Sequence, residues 1–197
     1  MEGIATLLRP KGVDAPGPSE PGEELLAACR RGDREAFGRL FAETCDYVHG
    51  VALYLTRDED AAGDLTQEVF LRVLTRIRQF EGRSAFRTWL FRIALNAARD
   101  QGRRRRPVVS LDDVAAALPA PAPSLESELL ARDRDARVRA ALAALPHRLR
   151  LPLVLRYVAG LSYAEIGEVL ALRPGTVASR LSRGLLRLGR ALPEEAP

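Results

Sequence analysis

The first half of the chain has a helical hydrophobic pattern. Between residues 23 and 106, apolar positions recur at intervals of three and four, the period of amphipathic helices, and no alternating strand pattern of useful length is present. Breakers at Gly32-Asp33, at residues 56–59 and at residues 82–84 divide the pattern into four predicted helices. Residues 56–59, Thr-Arg-Asp-Glu, fit a capping box, and Ser84 is available as an N-cap. The pattern predicts a compact four-helix domain over residues 23–106.

The second half, residues 132–192, has the same helical period with shorter elements. Ser162 and Glu165 fit a capping box that begins one helix, and Pro174 suits the first position of the next. The second helix would bury a stripe at spacings of four, four and three: Val177, Leu181, Leu185 and Leu188. Upstream, Pro152 is expected to kink a helix or to begin one. Two short helices joined by a tight turn are typical of a helix-turn-helix, whose second helix lies in the DNA major groove.

Proline-rich segments surround these two predicted domains. Residues 1–22 are rich in Pro and Gly without periodicity, which predicts a disordered N-terminal extension. Residues 107–131 contain four prolines and predict a linker that could span at most roughly 80 Å when fully extended. The expected fold is therefore all-α, with two small helical domains joined by a flexible Pro/Ala-rich linker, the C-terminal one containing a helix-turn-helix.

The placement of charge is more informative than its total. The net charge is +4, and Lys11 is the sole lysine among 30 basic residues, so the abundance of arginine can reflect genomic composition. Residues 132–192 contain twelve arginines and four carboxylates, a net of +8, whereas residues 107–131 contain four carboxylates and no basic residue, a net of −4. The positive charge is therefore local to the second domain.

One face of the predicted second helix of the helix-turn-helix is cationic. It carries, at spacings of four, three, four and three, Thr176, Arg180, Arg183, Arg187 and Arg190. Guanidinium groups in such a row suit phosphates and guanine edges. The alternative is a solvated charged face on an ordinary helical hairpin.

Two segments of the first domain have opposite charge. Residues 58–68 contain five carboxylates and no base, whereas residues 87–106 contain seven arginines and one carboxylate. Within the basic segment, one helix face would carry Arg92, Asn96, Arg99 and Arg103. Residues 80–89 combine a glycine-containing loop with three aromatic rings, a surface type that holds unstacked bases. The alternative is that the aromatic side chains of Phe70, Phe86 and Trp89 are core and that Arg103–Arg106 is a solvated helix end.

Other classes of chemistry lack the residues they need. Cys29 and Cys45 lie outside any metal-binding or disulfide pattern, and His49 and His147 stand alone. No signal segment and no apolar run of about 20 residues is present, so a cytoplasmic protein without membrane insertion is expected. We predict no catalytic residue, no metal site and no cofactor.

With both domains laid out, the chain resembles an extracytoplasmic-function (ECF) sigma factor, the compact two-domain class of the bacterial sigma-70 family. The resemblance covers about residues 23–192. It rests in the first domain on DLTQEVFLR (64–72) and FEGRSAFRTWLFRIALNAARD (80–100). In the second it rests on LPHRLRLPLVLRYVAGLSYAEIG (145–167) and GTVASRLSR (175–183).

This resemblance implies a role for each surface. Residues 23–106 would be sigma region 2 and residues 132–192 sigma region 4. Binding of the RNA polymerase core enzyme would use Asp64, Gln67, Glu68 and Leu71. Contacts to the minus-10 promoter element would use Phe80, Arg83, Ser84, Phe86, Trp89, Arg92, Asn96, Arg99 and Arg103. Contacts to the minus-35 element would use Arg173, Thr176, Ser179, Arg180, Arg183 and Arg187.

The same resemblance implies the partners. They would be core RNA polymerase, promoter DNA and an anti-sigma factor, and the chain would be a monomer when free of partners. Polymerase would supply the chemistry, so the chain itself would not be an enzyme. Departures from the family pattern are Ala171 in the turn, where Gly is frequent, Arg173 at a helix start, where a polar cap is usual, and Ala178, where a basic residue is common.

Two other functions are less consistent with the sequence. A helix-turn-helix transcription regulator acting without core polymerase would need only residues 132–192, and it leaves the acidic segment and residues 80–106 unexplained. An enzyme acting on nucleic acid would need a metal cluster, a phosphate-binding loop or a nucleophile with a partnered histidine, and the sequence has none of these patterns.

Overall fold

A computed structural model describes the backbone of residues 18–105 and 137–192, and the side chains of 18–102 and 137–192. All regular elements in these two ranges are helical. The first range contains α1 (Glu23–Arg31), α2 (Arg34–Thr56), α3 (Glu59–Arg76), a 3-10 turn (Ile77–Gln79) and α4 (Phe86–Arg105). The second contains α5 (residues 137–144), α6 (His147–Tyr157), α7 (Tyr163–Leu170) and α8 (Pro174–Ala191). The predicted linker, 107–131, lies outside the described residues.

Helices α1 to α4 form the predicted four-helix unit around a shared apolar core. The apolar stripe of each helix supplies fully buried side chains, among them Leu40, Val51, Leu65, Val73 and Leu90. Burial of a side chain of this size stabilises the fold by about 1.5–3 kcal/mol. The stripes that the sequence pattern predicts are therefore the residues that hold the unit together.

The start of α3 differs from the sequence prediction. Asp58 is the N-cap, and its carboxylate accepts a hydrogen bond from the Ala61 N–H at 2.7 Å. Thr56 instead ends α2, where its hydroxyl donates to the Ala52 carbonyl. The predicted capping box over residues 56–59 is wrong, because the Thr56 hydroxyl is committed to the preceding helix.

The start of α4 is capped from a distance. The Glu20 carboxylate accepts hydrogen bonds from the backbone N–H groups of Phe86 and Arg87. Ser84, the predicted N-cap, precedes the helix by two residues. Pro18 and Pro21 are buried beside Glu20. The prediction of disorder is therefore wrong for residues 18–22, because Glu20 satisfies orphan donors of a helix in the first unit; residues 1–17 lie outside the described part.

Helices α5 to α8 form the second unit, in which α7 and α8 are the helix-turn-helix. The predicted capping box is confirmed: the Glu165 N–H donates to the Ser162 hydroxyl, and the Ser162 N–H donates to the Glu165 carboxylate at 2.8 Å. Pro174 begins α8 as predicted. Pro152, by contrast, does not begin a helix, because α6 starts five residues earlier and continues through it.

The turn between α7 and α8 is tight and strained. Ala171 ends α7 in the left-handed conformation, with φ +55°. A Cβ on Gly167 would lie 2.7 Å from the Leu172 carbonyl oxygen, so the chain can fold back only over a glycine. The departure from Gly at position 171 is therefore accommodated at a cost in backbone strain.

The two units touch each other. Helix α4 packs on α7, and buried apolar side chains of both units belong to one connected cluster. At a second contact, the Arg57 guanidinium donates to the Ala143 carbonyl at 3.1 Å. The described residues therefore adopt a closed arrangement.

Candidate functional site

A groove of about 330 Å³ lies between α3 and α4, on the acidic side of the first unit. The predicted polymerase-binding residues Asp64, Gln67, Glu68 and Leu71 all line it. Helical spacing brings them together, because positions three, four and seven apart share a face. The sequence did not single out Arg72, Ala97 and Gln101, which complete the groove from both helices.

The acidic residues of this groove are not equivalent. Arg72 donates to Glu68 and to Asp100, both at 2.8 Å, and so ties α3 to α4. Hydrogen bonds from Arg72 to Asp100 and to Glu68 raise the pKa of the Arg72 guanidinium. Asp64 is exposed and has no such pair among the described contacts. Glu68 is therefore partly structural, whereas Asp64 is available to a partner.

Apolar side chains continue the face of α3 beyond the groove. Leu71 is 53% exposed and Leu74 is 51% exposed. Nearby, Phe41 of α2 is also exposed, and its ring packs edge-on against Phe70. The sequence analysis missed Leu74, although its spacing of three from Leu71 indicates the same face. Exposed leucines beside carboxylates form a surface suited to a protein partner.

The cationic face of α4 is open to solvent. Arg92, Asn96 and Arg99 are all exposed and follow one another at spacings of four and three. Arg99 donates to the Asn96 side-chain oxygen at 3.3 Å, which orients the amide. Arg83, in the loop before α4, is exposed and pairs with Glu81 at 2.6 Å. The side chain of Arg103 lies outside the described residues.

The aromatic residues near the start of α4 form a cluster that is mainly core. Phe80 is 6% exposed and Phe86 is 1% exposed, so in this conformation neither ring can stack on a base. Both rings support the loop here, and their contacts to the minus-10 element stay a prediction. Trp89 is half-buried, with its ring centroid 5.2 Å from that of Phe80. Trp89 and the partly exposed Ser84 are the members of this set that reach the surface.

Helix α8, the second helix of the helix-turn-helix, presents the predicted cationic face. Arg173, Arg183 and Arg187 are exposed, while Thr176, Ser179 and Arg180 are half-buried. Arg183 donates to the carbonyl and the hydroxyl of Ser179, both at 3.2 Å, which braces its guanidinium along the helix. Arg173 precedes α8 without a side-chain cap, as its departure from the family pattern implies. Its guanidinium therefore has no structural bond at the helix start.

A close contact holds this helix onto the second unit. The stripe Val177, Leu181 and Leu188 is buried, and a Cβ on Gly184 would lie 2.7 Å from a methyl carbon of Leu153. Gly184 therefore lets α8 approach α6, so that the cationic face points outward. The sequence analysis did not assign a role to this glycine.

The described residues offer little for other chemistry. No group of three or more His, Cys, Asp and Glu side chains in ranges 18–102 and 137–192 could hold a metal ion. Cys29 and Cys45 are free thiols, and burial raises the pKa of each. Within the same ranges, no helix is both long enough and apolar enough for a membrane span.

Comparison with family models places both units in one family. Residues 40–108 match sigma-70 region 2, and residues 135–188 match sigma-70 region 4. The chain is 35% identical to the RNA polymerase sigma-H factor of Pseudomonas aeruginosa, over 88% of this chain and 94% of that one. It is 29% identical to the ECF RNA polymerase sigma factor SigW of Bacillus subtilis, over 86% and 96% of the two chains.

Solved structures give the same result. CnrH, solved in complex with the cytosolic domain of CnrY, matches 88% of this chain and 97% of its own, with a TM-score of 0.67 and 28% identity. The sigma factor RpoE of Bartonella quintana, solved with the anti-sigma factor NepR, matches 81% and 98%, with a TM-score of 0.61 and 25% identity. The fold, the two family matches and the relatives define a two-domain RNA polymerase sigma factor. The chain belongs to the sigma-70 family, in its ECF class.

Proposed function

We propose that three surfaces of this sigma factor divide promoter recognition between them. The exposed face of α3, made by Asp64, Gln67 and Leu71 at the groove and by Leu74 beyond it, binds core RNA polymerase. The exposed face of α4 contacts the minus-10 element, and the cationic face of α8 contacts the minus-35 element. The observation that carries this proposal is the opposite character of α3 and α8, one acidic and apolar and the other cationic.

The polymerase role of α3 is supported by its chemistry. Carboxylates repel the DNA backbone, so an acidic exposed face needs a partner other than nucleic acid. Leu71 and Leu74 supply the apolar area that a specific protein interface buries at its centre. Glu68 acts through its ion pair with Arg72, which fixes α3 relative to α4.

The minus-10 role of α4 depends on Asn96. Asn is suited to hydrogen bonding with base edges, and here its amide is exposed between two guanidinium groups that can take phosphates. Trp89, Ser84 and Arg83 lie toward the start of the same helix and would contact a separated strand. Phe80 and Phe86 support this surface from the core. Binding the separated strand offsets the few kcal/mol that unstacking a base costs.

The minus-35 role of α8 follows the geometry of helix-turn-helix proteins, in which the second helix enters the major groove. Arg180, half-buried near the start of the helix, is the candidate for a base contact. Arg183 and Arg187, farther along and exposed, are candidates for phosphates. Arg173, Thr176 and Ser179 complete the contact surface at the N-terminal end.

Further roles follow from this assignment. The chain acts in the cytoplasm as a transcription initiation factor, and the chemistry of RNA synthesis belongs to polymerase, with no cofactor held by the chain. An anti-sigma factor is its expected inhibitor, because the similar sigma factor RpoE of Bartonella quintana was solved in complex with the anti-sigma factor NepR. The two family matches and the relatives favour the sigma factor over a regulator that acts without polymerase.

Charge reversal on α3 tests the proposal. Asp64→Arg should abolish pull-down of core polymerase, because the new cation meets a surface selected for a carboxylate. Asp46→Arg, at an exposed position on α2, is the matched control and should bind normally. Equal binding by both variants would remove α3 from the interface.

A further inference from the structure

The first turns of α4 and α7 meet across the two units. The Arg87 guanidinium binds the Glu165 carboxylate through two hydrogen bonds, Nε to Oε1 at 2.6 Å and Nη2 to Oε2 at 3.0 Å. The Arg87 side chain is 29% exposed and that of Glu165 only 13%. A bidentate pair of this kind is stronger and more directional than an ordinary surface ion pair.

Glu165 serves both units at once. Its carboxylate completes the capping box of α7 by accepting from the Ser162 N–H, and the Thr88 hydroxyl lies 3.4 Å from its Oε1. Burial acts to raise the pKa of Glu165, but hydrogen bonds from Arg87 and Ser162 outweigh burial and lower it. The carboxylate also lies near the N-terminus of α4, where the helix dipole favours negative charge.

The second contact between the units carries opposite electrostatics. The Ala143 carbonyl accepts from Arg57 of the first unit and from Arg150 of the second. Burial and the charge of Arg57 lower the pKa of Arg150 to about 10. Two cations converge on one carbonyl there, so their mutual repulsion offsets part of what the Arg57 hydrogen bond contributes, whereas the two groups of the Arg87–Glu165 pair attract each other.

The closed arrangement is too short to read a promoter. A helix rises ~1.5 Å per residue, so Asn96 lies about 14 Å along α4 from Arg87. The lengths of α7, the turn and the start of α8 likewise keep Arg180 within roughly 30 Å of Glu165. Promoter elements centred roughly 25 base pairs apart are about 85 Å apart at ~3.4 Å per base pair. The pair must therefore separate before both elements are bound.

We propose that the first turns of α4 and α7 form an intramolecular interface, latched by Arg87 and Glu165, that holds the free sigma factor closed until polymerase separates the two units. The functional half of this statement rests on the proposed function. The structural half concerns the free chain alone.

Two variants open the latch without damaging either helix. Glu165→Gln keeps a capping-box side chain, since Gln also serves at that position, but removes the charge. Arg87→Gln removes the other partner. Glu168→Gln is the matched control, because this carboxylate is exposed on the same helix and its loss changes the net charge equally.

Small-angle X-ray scattering of the full-length free chain tests the latch. In low salt, Glu165→Gln and Arg87→Gln should each raise the radius of gyration by several ångströms, the double variant should add little, and Glu168→Gln should match wild type. Equal radii for wild type and both latch variants at low salt would overturn the proposal, as would equal expansion by Glu168→Gln.

A kinetic measurement tests the functional half. Both latch variants should associate with core polymerase several-fold faster than wild type, with an unchanged dissociation rate, because the competent state is more populated. If the variants have larger radii of gyration but unchanged association rates, the claim that polymerase binding requires opening of the latch is refuted. The claim that the free chain is closed would still hold. Absence of polymerase binding by wild type would instead refute the proposed function and leave the scattering result intact.

Discussion

Helices α3 and α8 each present a long exposed face, yet the two faces differ in almost every property. The α3 face combines carboxylates with Leu71 and Leu74, and one of its carboxylates is bound by Arg72. The α8 face combines guanidinium groups with hydroxyls and keeps one exposed leucine, Leu186. Two amphipathic helices of similar length therefore present surfaces of opposite charge, and under the proposed function these surfaces bind different partners.

The largest expected effect separates the exposed leucines of the two faces. Leu71→Arg should weaken polymerase binding at least 100-fold, because it puts a cation into the apolar centre of the proposed interface. Leu186→Arg, the matched change on α8, should leave polymerase binding within about twofold. Equilibrium binding of fluorescently labelled chain to core polymerase measures both. Equal loss of affinity in the two variants would contradict the assignment of polymerase binding to the α3 face.

The next effect concerns base reading by α8. Arg180→Ala should lose about 1–3 kcal/mol of discrimination at one minus-35 base pair, the value of a bidentate base contact. Arg148→Ala, which removes an exposed arginine of α6, is the control. Gel shifts of the polymerase holoenzyme on minus-35 variants measure the effect. If Arg180→Ala weakens binding to all minus-35 variants equally, Arg180 contacts a phosphate and another residue contacts the bases.

A related effect is expected on α4 after the strands separate. Asn96→Ala should slow promoter opening by about tenfold, within the range of one lost base contact. A pre-melted template should restore the rate only in part, because base selection is lost as well. Permanganate reactivity of the minus-10 thymines measures opening. Full rescue by pre-melting would limit Asn96 to a role in melting.

The smallest effect tests the turn that positions α8. Ala171→Gly should stabilise the second unit by up to about 1 kcal/mol. The left-handed conformation costs Ala ~1–2 kcal/mol, and the larger entropy that Gly loses on folding offsets part of this gain. Gly167→Ala is the opposite test and should destabilise, because its Cβ would meet a backbone oxygen. Thermal unfolding followed by circular dichroism measures both. A lower melting temperature for Ala171→Gly would contradict the inference that the backbone is strained at position 171.

Local signals in the sequence predicted much of this fold. The Ser162–Glu165 capping box, Pro174 at the start of α8 and the buried stripes all depend on residues within one or two turns of each other. Such features are visible in spacing alone. The same pattern predicted the all-helical two-domain fold, the family resemblance supplied the sigma-factor function, and the structure and the comparisons confirm both.

Features that depend on distant residues could not be predicted. Glu20 caps α4 from far along the chain. The burial of Phe80 and Phe86 depends on how four helices close around them. The pairing of Arg87 with Glu165 joins two units that no periodic pattern relates.

The most direct test of the central claim is promoter opening that depends on both the chain and core polymerase. Purified chain should bind promoter DNA weakly by itself, because its two units are held at the right spacing only on polymerase. With core polymerase it should make the minus-10 thymines reactive to permanganate. Nanomolar sequence-specific binding by the chain alone, with no opening when polymerase is added, would contradict the account and favour an independent regulator.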